Sequence, residues 1–171
     1  MSSFKSTLLM GLIVLMMTNS GLSQGYLIKV KFSEAKLFLI RDNAEAVAAF
    51  RVGLPKFIPK YLPIEGMVAR IEENPYWYPT QRGRELHLTQ KGEELPVAVK
   101  PGDPRNAMGA AKIIIEFENP DVNPLIRIHG TNEKDSIGKR VSSGCIRMLN
   151  DDILTLIEII NGKQTKFLFE N

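Results

Sequence analysis

The chain has 171 residues, with 22 lysines and arginines against 19 aspartates and glutamates, a formal net charge of +3 and 44% hydrophobic residues. That length suits one domain with a sizeable core, and so mild a charge with no clustered basic stripe excludes a dedicated nucleic-acid binder. One cysteine and two well-separated histidines lack any compact ligand spacing, so no metal is expected.

The first element in chain order is an address. Lys5 precedes an apolar run over residues 8–17, and small residues at Gly21 and Ser23 follow. This order describes a secretory signal peptide over residues 1–23, with cleavage before Gln24. The apolar core is about ten residues, short of the roughly 20 that a spanning helix needs. An uncleaved N-terminal anchor is the other reading, and with no cysteine at the junction a lipid-anchored start is excluded. Residues 24–171 form the expected domain, exported to the periplasm. Its slightly basic surface suits an anionic polymer outside the cytoplasm.

Tyr26, Ile28, Val30 and Phe32 alternate with polar or outward residues and predict a strand. Residues 33–35 turn, and residues 36–41 predict a second strand with Leu37 and Leu39 on one face. After an Asp42-Asn43 turn, residues 44–52 read as a third, since Ala46, Ala48, Phe50 and Val52 alternate. Residues 53–103 are rich in proline and glycine, as in GLPKFIPKYLPIEG, NPYWYP and VKPGDP, and predict loops and edge strands. A strand is expected to follow Met67. His87, in ELHLT, reads as a surface or strand residue. Strands are expected over residues 111–117 and 125–128, the latter ending in His129-Gly130. One helix is expected from Asn150, which could cap it, to Gly162, with Ile153, Leu156, Ile157 and Ile160 as its apolar stripe. A last strand spans residues 165–170. The fold class is mainly β: a single mixed sandwich or barrel-like domain with one helix after the cysteine.

The lone cysteine, Cys145, lies in RVSSGCIRMLNDD. In an exported protein it has no internal disulfide partner, and Ser142, Ser143, Gly144 and Arg147 around it make a poor core strand. A buried small hydrophobe is one reading and a reactive thiol the other. A nucleophilic thiol needs a base, and His129, at the end of an apolar strand and before a glycine, is the better placed of the two histidines. The intervening GTNEKDSIGKRVSSG is polar and can fold back to join them. Gly144 would let its own N–H and that of Cys145 converge on an oxyanion. Arg147 leaves an extended backbone on the same face as Cys145, either to pair with a substrate carboxylate or as an ordinary surface arginine.

His129-Gly130-Thr131, Ile137-Gly138, SSGCIRM and Asn150-Asp151 together resemble the L,D-transpeptidase catalytic domain of the YkuD type. KVKFSEAKLFLI, PYWYPT and PGDPRNAMG resemble further segments of that family, so the likeness covers nearly all of residues 24–171. The resemblance implies Cys145 as nucleophile, His129 as base and the Gly130 carbonyl as the group orienting the imidazole. It also implies an oxyanion hole at Gly144 and Cys145, substrate contact or bracing by Arg147, and a turn shaped by Ser142 and Ser143. The implied substrate is a peptidoglycan stem tetrapeptide, attacked at the meso-diaminopimelate carbonyl with loss of D-alanine. The acceptor would be an amine of a second stem or of an outer-membrane lipoprotein. No cofactor is implied, and carbapenems are the implied inhibitors. Hydrolysis by water, as an L,D-carboxypeptidase or endopeptidase, and a non-catalytic wall-binding module are the alternatives. Two departures stand out: Ser143 replaces a frequent histidine, and GLPKFIPKYLPIEG replaces the family's usual cleft-wall segment.

Overall fold

A computed structural model describes residues 25–42, 44–123 and 126–171. The proposed signal peptide lies outside the described residues, as does Asn43 of the predicted turn. Apolar alternation builds the sheet. β1 (Tyr26–Lys31) buries Tyr26, Ile28 and Val30. β2 (Lys36–Arg41) pairs with it antiparallel and buries Leu37 and Leu39, and β3 (Glu45–Arg51) forms the edge beyond. β4 (Leu54–Pro55) leaves this sheet and pairs elsewhere, and β5 (Ile64–Glu73) returns to it.

The remaining strands are β6 (Ala111–Phe117), β7 (Arg127–His129), β8 (Arg140–Ser142), β9 (Ile146–Arg147) and β10 (Thr165–Glu170). Among the described residues, eight of ten strands form one mixed sheet that curls as a half-barrel, in the order β3-β2-β1-β10-β5-β6-β7-β9, while β4 pairs with β8. The parallel β1–β10 pair joins the two ends of the described chain, with Lys29 and Glu170 3.0 Å apart across it.

The helix α2 (Asn150–Ile160) lays its predicted stripe, Ile153, Leu156, Ile157 and Ile160, into the core against β6. The predicted cap is corrected. Leu149 occupies the cap position and no side chain caps the helix, because the Asn150 amide oxygen is used elsewhere.

Two further expectations are corrected in the proline-rich middle. β5 starts at Ile64 rather than after Met67, and it is a central strand of ten residues between β10 and β6. A second helix, α1 (Gln81–Lys91), stands where loops and edge strands were expected, so His87 is helical. The helix has local start and stop signals: Thr80 Oγ1 accepts from Gly83 N at 3.0 Å, and Gly92 ends it in the left-handed region at φ 70°. None of its residues is buried, so it carries no apolar stripe by which periodicity could find it.

Candidate active site

The site is built on the last two strands of the sheet. Ile128 of β7 and Ile146 of β9 are registered partners in a parallel pair, and both are fully buried in the core. Side chains alternate along a strand, so their neighbours project from the opposite face. Arg127 and His129 on β7, Arg147 on β9 and Cys145 just before it therefore share that face. His129 is registered with Arg147, and the Arg127 backbone amide reaches the Cys145 sulfur. Strand spacing and rise set the α-carbons of Cys145 and His129 about 8 Å apart on the diagonal, within side-chain reach of each other.

His129 is 3% exposed. Its Nδ1 lies 2.5 Å from the carbonyl oxygen of Gly130. A carbonyl only accepts, so Nδ1 carries the proton and Nε2 keeps its lone pair. Burial lowers the imidazole pKa from 6.5 to about 4, opposed by the Gly130 and Ala107 carbonyls and reinforced by the charges of Arg147 and Arg127. Burial pushes the Cys145 thiol up. The Arg127 backbone amide, donating toward the sulfur, and the charges of Arg127 and Arg147 pull in the other direction. Both groups are neutral around pH 7.

The loop before the sulfur is held from within. Ser142 is buried, and its hydroxyl donates to the Cys145 carbonyl at 2.5 Å while accepting from Gly144 N at 3.3 Å. Ser143 is exposed and lines a cavity of about 750 Å³ together with Ser142 and Gly144. The opposite walls of this cavity come from Phe57, Ile58 and Tyr61 and from the first turns of α1. Neither Cys145 nor His129 lines it; the cavity ends at Gly144, one residue from the sulfur. Arg147 donates from Nη1 to Glu133 Oε2 at 2.6 Å, which ties β9 to the loop after His129.

The Ala107 carbonyl reaches the imidazole, and the loop that carries it, residues 101–110, is tied down at several points. Arg105 forks onto the Asp103 carboxylate at 2.8 and 3.0 Å and reaches Glu93 at 2.8 Å, which holds the Asp103 carboxyl down at about 2. Asn106 is buried and donates to the Pro75 carbonyl at 2.9 Å, and Trp77 and Val99 exchange backbone bonds. The PYWYPT and PGDPRNAMG segments are thus joined. Asn150 Oδ1 accepts from Ala110 N at 3.0 Å and Thr131 N at 3.1 Å. This clamp requires glycine at two positions. A β-carbon on Gly130 would lie 2.4 Å from Asn150 Oδ1, and one on Gly109 2.2 Å from it.

Three features were missed in the sequence. Arg127 interrupts the apolar strand, and that interruption was its only signal. The clamp role of Asn150 was masked by its plausibility as a cap. Glu133, the partner of Arg147, lay unremarked in the polar loop.

A search against protein-family descriptions matches residues 25–167 to the L,D-transpeptidase catalytic domain, YkuD. The chain belongs to the YkuD L,D-transpeptidase family. Among named relatives, it is 35% identical over 146 residues to the probable L,D-transpeptidase ErfK/SrfK of Escherichia coli, covering 84% of this chain and 40% of that protein. It is 42% identical over 133 residues to the Salmonella typhimurium protein of the same name, covering 77% of this chain and 40% of that one. The chain thus spans about 40% of the length of these relatives. An L,D-transpeptidase structure from Mycobacterium smegmatis shares the fold with a TM-score of 0.56 at 13% identity, over 86% of this chain and 59% of that one. The LD transpeptidase LdtMt1 in complex with imipenem gives a TM-score of 0.55 at 12% identity, over 85% and 59%.

Two outcomes follow from the clamp and the buried ring. Asn150→Ala leaves two backbone amides without their acceptor and lowers the unfolding free energy by about 2 kcal/mol, measured by urea denaturation. His129 has a folded pKa below its unfolded one, so the unfolded chain binds more protons between about pH 6.5 and 4. Its effect is therefore a loss of stability as pH falls through that window. Relative to His129→Gln, the wild type loses roughly 3 kcal/mol between pH 7 and values below 4, read from denaturation midpoints across pH.

Proposed function

We propose that this chain is a peptidoglycan L,D-transpeptidase in which Cys145 is the nucleophile and His129 the general base. The observation that carries the reading is the parallel β7–β9 register, which turns both side chains onto one face while their neighbours Ile128 and Ile146 anchor the strands in the core. The Gly130 carbonyl supports it by fixing the proton on Nδ1, which leaves Nε2 as the acceptor.

Because burial keeps both partners neutral, the proton moves as the sulfur attacks rather than before. Sγ bonds to the carbonyl carbon of the third-position diaminopimelate, and its proton passes to Nε2. Charge collects on the carbonyl oxygen, where the Cys145 amide receives it, joined by the Gly144 amide as that N–H turns from its long 3.3 Å bond to the Ser142 hydroxyl. The C–N bond then breaks, and the imidazolium proton leaves with the amine of D-alanine. A thioester remains on Cys145. An acceptor amine next attacks the thioester while Nε2 takes its proton, and the sulfur departs and recovers that proton. The product is a 3→3 cross-link or a stem joined to an outer-membrane lipoprotein. Arg147, through Glu133, braces the loop after His129, and the Ser142 hydroxyl shapes the loop at the sulfur.

The proposed location is the periplasm, supported by the charged, apolar and small-residue order of residues 1–23 and by the substrate's own location. Carbapenem acylation of Cys145 is proposed because a fold relative is described in complex with imipenem.

Incubation with imipenem is expected to add one inhibitor mass to the intact chain. The adduct maps to Cys145, is absent from Cys145→Ala, and forms about 10²- to 10⁴-fold more slowly in His129→Ala. Muropeptides treated with wild type, but not with Cys145→Ala, are expected to lose terminal D-alanine and gain cross-linked products. No adduct and no muropeptide change would contradict the reading.

A further inference from the structure

Two arginines share the face that carries Cys145 and His129, and they differ in one respect. Arg147 has its anion, Glu133, at 2.6 Å. Arg127 forms no ion pair among the described residues, and its Nε is buried without a hydrogen-bond partner. The nearby carboxylate of Glu72 is already engaged by Lys112 at 2.7 Å and Arg70 at 2.6 Å. A guanidinium N–H taken from water with nothing to donate to is costly, and it is relieved by an arriving acceptor.

The position of Arg127 specifies which acceptor. It lies beside Cys145 across the β7–β9 pair and two residues from His129, and its charge reaches both. In a peptide donor, the carboxylate carbon of the residue after the attacked carbonyl is three bonds away, about 3–4 Å from the reacting carbon. A cation adjacent to the nucleophile meets that carboxylate when the donor ends there. A donor with one more residue presents a neutral amide at the same place.

We propose that Arg127 is a specificity-determining residue that binds the free α-carboxylate of the residue expelled on acylation. It thereby selects donors that end one residue beyond the attacked carbonyl. This rests on the acyl-transfer reading above. It assigns substrate-carboxylate recognition to Arg127 and leaves Arg147 as a brace of the loop after His129.

The test uses the full chain and two synthetic stem tetrapeptides, one ending in a free carboxylate and one in a carboxamide. Release of the terminal residue is followed by mass spectrometry to obtain kcat/KM for each. Wild type is expected to prefer the carboxylate donor by about 10- to 100-fold, the range of a charge-assisted hydrogen bond. Arg127→Gln is expected to reduce that ratio to near one, and Arg127→Lys to restore part of it. Thermal unfolding of both variants and their alkylation by neutral iodoacetamide report on fold and thiol separately. Equal losses on both donors in Arg127→Gln would overturn the proposal and make Arg127 a structural or thiol-tuning group. A wild type that shows no preference would overturn it as well. Failure of wild type to release either terminal residue would overturn the acyl-transfer reading itself, and this proposal with it.

Discussion

The site depends on one contact: the parallel pairing of a three-residue strand with a two-residue strand, pinned by Ile128 against Ile146. Fully buried isoleucines leave little freedom for a slip, because a one-residue shift would turn Arg127, His129, Cys145 and Arg147 toward the core. The register therefore puts an imidazole and a thiol on one surface although the polar segment GTNEKDSIGKRVSSG separates them in sequence. The backbone bond from Met148 N to the His129 carbonyl, at 2.8 Å, extends the pairing past β9 toward α2.

Around that pair, desolvation outweighs charge. Two arginines would be expected to favour a thiolate, yet burial dominates at both titrating groups and holds each in its neutral form. The protein's polar contacts serve orientation instead. Gly130 sets the tautomer, Asn150 ties Thr131 to Ala110, and Ser142 fixes the turn at the sulfur.

Where apolar alternation was strong, the sequence was readable. β1, β2, β3, β6, β10 and the buried stripe of α2 lie where periodicity put them. That His129 and Cys145 fall on one face, the basis of the proposed pair, was also foreseeable, because a strand ending in His-Gly and a single thiol left few partners. What was illegible had no local signature. α1 buries nothing, so its signals were only a threonine cap and a terminal glycine inside a proline-rich stretch. β5 is central because of its partners β10 and β6, which its own residues do not announce. Asn150 looked like a cap, and only tertiary contacts show that its oxygen bridges two distant loops.

The central claim is that the ring of His129 faces the sulfur of Cys145 with Nδ1 protonated and Nε2 bare. Nitrogen-15 NMR of the imidazoles, recorded at neutral pH before and after the thiol is capped with a methylthio group, tests it directly. The account predicts an unprotonated Nε2 whose shift moves on capping, while His87 on α1 stays unchanged. A His129 with the proton on Nε2, or one as indifferent to capping as His87, would contradict it.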